Sequence, residues 1–247
     1  MEREEILEEV SFLKGALKIY QPKKGYRFGL DAVLLANFVE IKPGEKCLEV
    51  GAGQGAVSFI LLKKYPKAKI YLLEIEPLFL NALKKGIVAN SFQERAFLIK
   101  GDALYPPVKY SILDVIFANP PYFKSGAGRE CKDPLENLAK REKNFVLPLF
   151  IKNCAQLLKN GGRFYLIFTA YRMAEVIFYL KHFRLEPKVI RLIYPYREAE
   201  ANLFLLKAIK GAKEEIRVLP PLFVYKGKGE DYTEEVKNYL TWDERGA

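Results

Sequence analysis

The sequence is short of the residues from which metal sites, disulfide frameworks and membrane spans are built. It has one histidine, His182, and three widely spaced cysteines, Cys47, Cys131 and Cys154, with no C-x-x-C pair. That pattern predicts no metal site and no disulfide. No window is apolar for long enough to span a bilayer, and the acidic start MEREEILEEV lacks a signal-type apolar stretch, so the expected compartment is the cytoplasm. No internal repeat, low-complexity linker or composition break divides the chain. The shortage of glutamine, methionine, histidine and cysteine beside abundant lysine and glutamate hints at a thermophile. Acid is also in deficit: 40 basic residues against 30 acidic ones leave a net charge of +10, which favours a polyanionic partner, nucleic acid first.

What is present is a core-forming chain. Half of its 247 residues are hydrophobic, enough for one sizeable domain. Glu2 to Leu13 reads as a short helix with Ile6, Val10 and Leu13 on one side. LKIYQPKKGYRF reads as two short extended pieces, and Asp31 as the N-cap of the apolar helix AVLLANFV. From Lys46 strands and helices alternate: KCLEV, GAVSFILLKKY, AKIYLLE, a helix from Pro77 to about Asn90, AFLIK, SILDVIFA, a helix ending near Leu158, and RFYLIF. Such alternation predicts βαβ units and an α/β, doubly wound parallel sheet. KVIRLIYP and NLFLLKAIKG are joined by YREAEA, too short for a crossover helix, so they are expected to pair antiparallel at one edge of a seven-stranded sheet. The late YKGKGEDYTEEV is expected to be a mobile or partly ordered tail.

Two stretches carry chemistry. In LEVGAGQGA, Gly51, Gly53 and Gly55 come directly after the first strand of the sheet, where glycines allow a sharp turn and the close approach of a ligand. Gly51, Gly53 and Ala56 also fit a dinucleotide fingerprint, which on its own is weak evidence. Glu74 ends the next strand, placed for a ribose diol, and Asp102 comes after the third, placed for an adenine amino group. Glu49 stands just ahead of the glycines, where an acid suits a cationic ligand and repels a pyrophosphate. The second stretch is IFANPPYF. Two prolines after Asn119 hold the chain extended and stiff, with carbonyls facing outward, a poor turn but a good way to aim acceptors at a group that donates two hydrogens.

Three acids in register around a glycine loop resemble the class I S-adenosylmethionine-dependent methyltransferases, a Rossmann-like fold. The resemblance implies S-adenosylmethionine as cofactor, held by Glu49, Gly51, Gly53, Gly55, Glu74, Ile75, Asp102, Ala103 and Asn119. In that class Asn-Pro-Pro-Tyr holds a planar, conjugated NH2 group, which implies Asn119, Pro120 and Tyr122 as catalytic residues. Acceptors on Asn119 and Pro120 would favour the pyramidal amine, while Tyr122 and Phe123 offer stacking faces to a swung-out base. The motif is shared by adenine-N6, guanine-N2 and protein-glutamine methyltransferases, and length separates them: the helical domain that release-factor glutamine enzymes carry ahead of the glycine loop has no room before Gly51.

Within the class, YQPKKGYRFGLDAVLLANF, LEVGAGQG, LLEIEP, GDA, ANPPYF and PPLFVY with DYTEEV are similar to the bacterial tRNA adenine-N6 methyltransferases that act next to the anticodon of valine tRNA. The implied partner is RNA, tRNA in particular, with neither metal nor membrane. The resemblance casts the segment before the glycine loop as a cover for the methionine end of the cofactor, with Gln21, Arg27 and Asp31 as contacts; capping and surface charge are their alternative roles. Glu49 stands where Asp is commoner in the family. After the tetrad, FKSGAGRECKDPLENLAKREKNF reads as a flap with Lys124, Arg129 and Lys132 on phosphates and Pro121, Tyr122 and Phe123 on the base; a solvated loop is its alternative. The expected organisation is one methyltransferase domain, 1–247, with residues 1–44 over the cofactor, 45–210 as catalytic core and 211–247 as tail. The rivals are ribosomal guanine-N2 or protein glutamine-N5 methylation, or a cofactor- and RNA-binding module without turnover.

Overall fold

The computed structural model describes residues 6–24, 27–120 and 146–241. It opens with an antiparallel hairpin, β1 (Leu7–Phe12) and β2 (Leu17–Pro22), where the sequence suggests a helix. The helical spacing of Ile6, Val10 and Leu13 is real, but Leu17, Ile19 and Gln21 alternate into the core along β2, and pairing with that strand decides the period of β1. Leu13, Lys14 and Gly15 all take positive φ in the connecting turn. The next segment, α1 (Leu30–Phe38), starts two residues earlier than expected: its N-cap is Gly29, and Asp31 lies in the first turn with its carboxylate on the Ala32 N–H.

The sheet comes next. It comprises β3 (Lys46–Val50), β4 (Lys69–Glu74), β5 (Ala96–Lys100), β6 (Leu113–Ala118), β7 (Leu158–Thr169), β8 (Leu185–Tyr194) and β9 (Leu203–Lys210), ordered β8-β9-β7-β6-β3-β4-β5. Among the described residues two short strands, β10 (Arg217–Val218) and β11 (Leu222–Phe223), add in parallel to β8. KVIRLIYP and NLFLLKAIKG pair antiparallel at this end of the sheet, as the sequence suggests, and the strand that runs against the others, β9, lies inside β8. β8 runs parallel to β7 and leaves a slot beside it; β9 returns by the short Tyr194–Leu203 connection and fills that slot, antiparallel to both.

The pleat sorts the apolar side chains to two cores. Cys47, Val115, Phe117, Tyr165 and Ile167 face α1, α2 (Ala56–Lys64) and α3 (Pro77–Ala89). Leu48, Ile116, Ala118, Phe164 and Leu166 face α4 (Leu147–Leu157) and α5 (Met173–His182). The C-terminal segment is not loose: Leu222 and Val236 are fully buried in the first core, and α6 (Glu234–Tyr239) is capped by Thr233, whose hydroxyl also donates to the Phe223 carbonyl. Apolar residues spaced along a polar stretch dock it against α1 despite its composition.

Candidate active site

Parallel strands all end on one side, and the sheet register aligns the residues just beyond those ends. Leu73 of β4 pairs with Val50 of β3, and Glu74 pairs with Lys100 of β5. On the other side of β3, Glu49 pairs with Phe117 of β6, so two residues further Gly51 and Asn119 leave the sheet side by side. Asp102, Glu74, the glycine loop and Asn119 thus form a row along the carboxyl ends of four adjacent strands.

The loop is held from below. The N–H groups of Gly51 and Ala52 both donate to the Leu73 carbonyl, at 2.9 and 3.0 Å. Gly51, Gly53 and Gly55 have φ of 74°, 53° and 84°, in the left-handed region that only glycine adopts cheaply. The three differ in their surroundings. A Cβ on Gly55 would meet Leu83 at 2.7 Å and Phe59 at 2.9 Å, whereas on Gly51 or Gly53 it would meet nothing within 4 Å. Gly55 is needed for packing of α2 and α3; Gly51 and Gly53 border open space.

Glu74 is nearly buried, and its carboxylate is taken up by the backbone: Oε2 accepts from the Gly53 N–H at 2.8 Å, and Oε1 from the N–H groups of Ile75 and Glu76 at 2.7 and 2.9 Å. Burial pushes its pKa up against those three donors. With two lone pairs per oxygen, Oε2 can accept one further hydroxyl. Ile75, 56% exposed, presents an apolar face beside it. Across the row, Asp102 Oδ1 accepts from the Leu104 N–H at 2.8 Å, leaving Oδ2 without a hydrogen bond among the described residues. Ala103 beside it is half-buried, and Gly101 ties this turn to β4 by donating to the Glu74 carbonyl.

Glu49 is placed differently from the expectation of a charge in the pocket. The pleat turns it to the α2 side, where Oε2 accepts from the N–H and the hydroxyl of Ser58. With 2% of its surface exposed, its pKa is pushed up to about 8 by burial, partly opposed by the two Ser58 bonds and reinforced by the nearby Glu74. It supports the loop from behind as a largely protonated group.

The hairpin carries candidates of its own. Asn90, at the end of α3, exchanges hydrogen bonds with the backbone of Lys18, and β2 packs along α3. Gln21 Nε2 donates to Glu8 Oε1 at 2.9 Å, and Arg27 pairs with the same oxygen at 2.9 Å. Glu8, which joins these two candidates, was not legible as a site residue because its segment reads as a helix. Asn153 was missed too: from α4 it donates to the Leu104 carbonyl at 2.7 Å and steadies the turn that carries Asp102. No sequence spacing signals that contact. Asn119 is half-buried and Pro120 buried, at the head of the row. Pro121, Tyr122, Phe123, Lys124, Arg129 and Lys132, with the whole expected flap, lie outside the described residues.

A model of the methyltransferase small domain matches residues 29–184, more than half of the chain, and spans the row from Gly51 to Asn119. The chain belongs to this family of S-adenosylmethionine-dependent methyltransferases. Among its relatives is a tRNA1(Val) (adenine(37)-N6)-methyltransferase of Porphyromonas gingivalis, 29% identical over 167 residues that cover 64% of this chain and 65% of that protein. The protein of the same name from Bacteroides thetaiotaomicron is 28% identical, with 60% and 62% covered. The matched stretch thus spans less than two thirds of either relative. In fold, the methyltransferase resembles a crystal structure of a predicted O-methyltransferase from Agrobacterium tumefaciens, with a TM-score of 0.69 and 20% identity over 86% of this chain and 98% of that one. It also resembles the geranyl diphosphate C-methyltransferase of Streptomyces coelicolor, with a TM-score of 0.55 and 12% identity over 72% and 77%.

The residues present fit an adenosyl cofactor without phosphates. Gly51 and Gly53 leave a concave backbone open, an unfilled acceptor on Glu74 and another on Asp102 flank the apolar Ile75, and the loop from Gly51 to Gly55 contains no lysine or arginine for a pyrophosphate.

Proposed function

We propose that this methyltransferase transfers a methyl group to an exocyclic amino group, N6 of an adenine in tRNA next to the anticodon. The observation that carries the reading is the position of Asn119-Pro120 beside Gly51, at the carboxyl end of β6. Glu74 would hold a ribose hydroxyl, Asp102 the adenine amine, and Ile75 the face of the adenine ring. S-adenosylmethionine supplies an electrophilic methyl on a sulfonium centre. The side-chain oxygen of Asn119 and the carbonyl of Pro120 each accept one hydrogen of the target amine. Both acceptors are placed for the tetrahedral nitrogen, so the lone pair is withdrawn from conjugation with the ring and directed at the methyl. The transferred product loses its extra proton readily to solvent, and the site works by positioning rather than by a strong base.

The names of the relatives and the net charge of +10 support tRNA as substrate. The test is transfer of a labelled methyl to total tRNA, followed by digestion to nucleosides. N6-methyladenosine is the expected product; N2-methylguanosine, or label in protein glutamine, would overturn the assignment of the acceptor.

A further inference from the structure

Beyond the C-terminal end of α2 the fold contains a second cleft, with a volume of about 360 Å³. It is remote from the cofactor row, since α2 starts at the glycine loop and its nine residues carry Lys64 roughly 13 Å away along the axis. Its walls come from the end of α1, the end of α2, the middle of β8 and β9, and the C-terminal segment.

Four cations line it: Lys64, Arg191, Lys207 and Arg217. Two are answered. Arg191 makes a two-pronged pair with Glu235 of α6, at 2.6 and 2.9 Å, and Lys207 meets Glu40 at 2.7 Å. Lys64 and Arg217 have neither a hydrogen bond nor an ion pair among the described residues, so two positive charges are left over. Lys64 lies 5.6 Å from the centre of the Tyr65 ring, a contact that supplies no counter-charge. Burial holds the Lys64 ammonium below the usual lysine range, with Glu40 opposing only in part. A cation that has lost water is costly when the nearby acid, here Glu40, is already paired with another lysine. The carbonyl end of α2 offsets part of that cost for Lys64; Arg217, from β10, is exposed and brings a second, hydrated charge to the same cleft. Glu40, held by Lys207, and Asn37 also face the cleft, and the remaining lining is apolar or aromatic, Leu205 and Leu222 with Tyr65 and Tyr239. Charge at one place and flat apolar surface at another, in a volume suited to one small molecule, select an anion on a hydrophobic body.

We propose that this cleft is a second binding site, for a nucleoside monophosphate, with its phosphate on Lys64 and Arg217 and its base against Tyr65 and Tyr239. The proposal does not depend on which amine accepts the methyl group. The nucleotide is either free or part of an RNA strand, and the chemistry of recognition is the same.

Calorimetry on the full chain, saturated with S-adenosylhomocysteine to occupy the cofactor end, tests it with uridine monophosphate, uridine and inorganic phosphate. Uridine monophosphate should bind, with uridine and phosphate each weaker by about 10-fold or more, as expected when one charged contact is lost. Lys64→Met and Arg217→Gln should each weaken the nucleotide by about 10-fold and leave S-adenosylhomocysteine affinity unchanged. Arg217 is exposed, so its variant will fold even where Lys64→Met does not. Displacement of the nucleotide by a tRNA transcript would assign the site to the RNA strand, and simultaneous binding to the free nucleotide. No binding of uridine monophosphate, or equal binding by both variants, would overturn the proposal.

Discussion

At the scale of single residues, two buried or half-buried groups make opposite demands. Glu49 is a carboxyl whose pKa is raised from 4.5 to about 8 in the folded chain. Between those values the folded state keeps a proton that the unfolded state has lost, so this residue lowers stability progressively as pH rises through the window, and the loss levels off above about pH 8. Glu49→Gln removes the titration while keeping an acceptor for Ser58. Its melting temperature relative to the parent should therefore rise from pH 5 to pH 8, by an amount on the order of a few kcal/mol in stability. A pH-independent difference, measured by thermal melts across that range, would show that Glu49 titrates normally. Asn119 has a different part. If it accepts an amine hydrogen only in the reactive geometry, Asn119→Ala should slow single-turnover methyl transfer by about 10²-fold or more while cofactor and RNA affinities stay near the parent values. An unchanged rate would reduce the tetrad to a strand end.

At the scale of elements, the glycine loop places a packing glycine, Gly55, two residues from one that borders open space, Gly53. Gly55→Ala drives a Cβ into Leu83 and Phe59, where α2 and α3 pack, and adds left-handed backbone strain. It should cost about 2–4 kcal/mol in a denaturant titration. Gly53→Ala meets open space, so only the strain of about 1–2 kcal/mol remains. If the cofactor lies on that open side, as proposed, the added Cβ intrudes on it, and calorimetry should show S-adenosylhomocysteine affinity falling by about 10-fold or more. Equal losses in both variants would mean that the open side of Gly53 is not where the cofactor lies.

At the scale of the molecule, the excess of ten positive charges acts over the whole surface. If lysines and arginines of the core neutralise several phosphates, tRNA affinity measured by filter binding should fall by at least about 10-fold between about 50 and about 200 mM salt. A flat response would point to a protein or small-molecule acceptor. The C-terminal segment belongs to this scale as well. Leu222, Val224 and Val236 share a core with α1 and α2, and the Arg191–Glu235 pair closes one wall of the second cleft. The segment is therefore part of the folded body, although its polar composition reads as a tail.

Features that depend on local chemistry were legible along the chain alone. Strands and helices alternate from Lys46 because runs of branched and apolar residues are punctuated by glycine and proline; the glycine loop and Asn119-Pro120 stood out because few other residues can adopt those backbones. The acids Glu74 and Asp102 could be placed because each lies at a predictable distance from a strand. Features that depend on a partner distant in the chain came from the fold. β1 pairs with β2 rather than coiling, because an adjacent strand outweighs a weak helical period. β9 lies inside the sheet because β8 leaves a slot that only a returning hairpin fills. Glu49 turns to Ser58, and Gln21 and Arg27 meet at Glu8, through contacts whose geometry no spacing along the chain encodes. Lys64 and Arg217, neither of them in an ion pair among the described residues, face one cleft for the same reason: four separate parts of the chain meet there only once the sheet has formed.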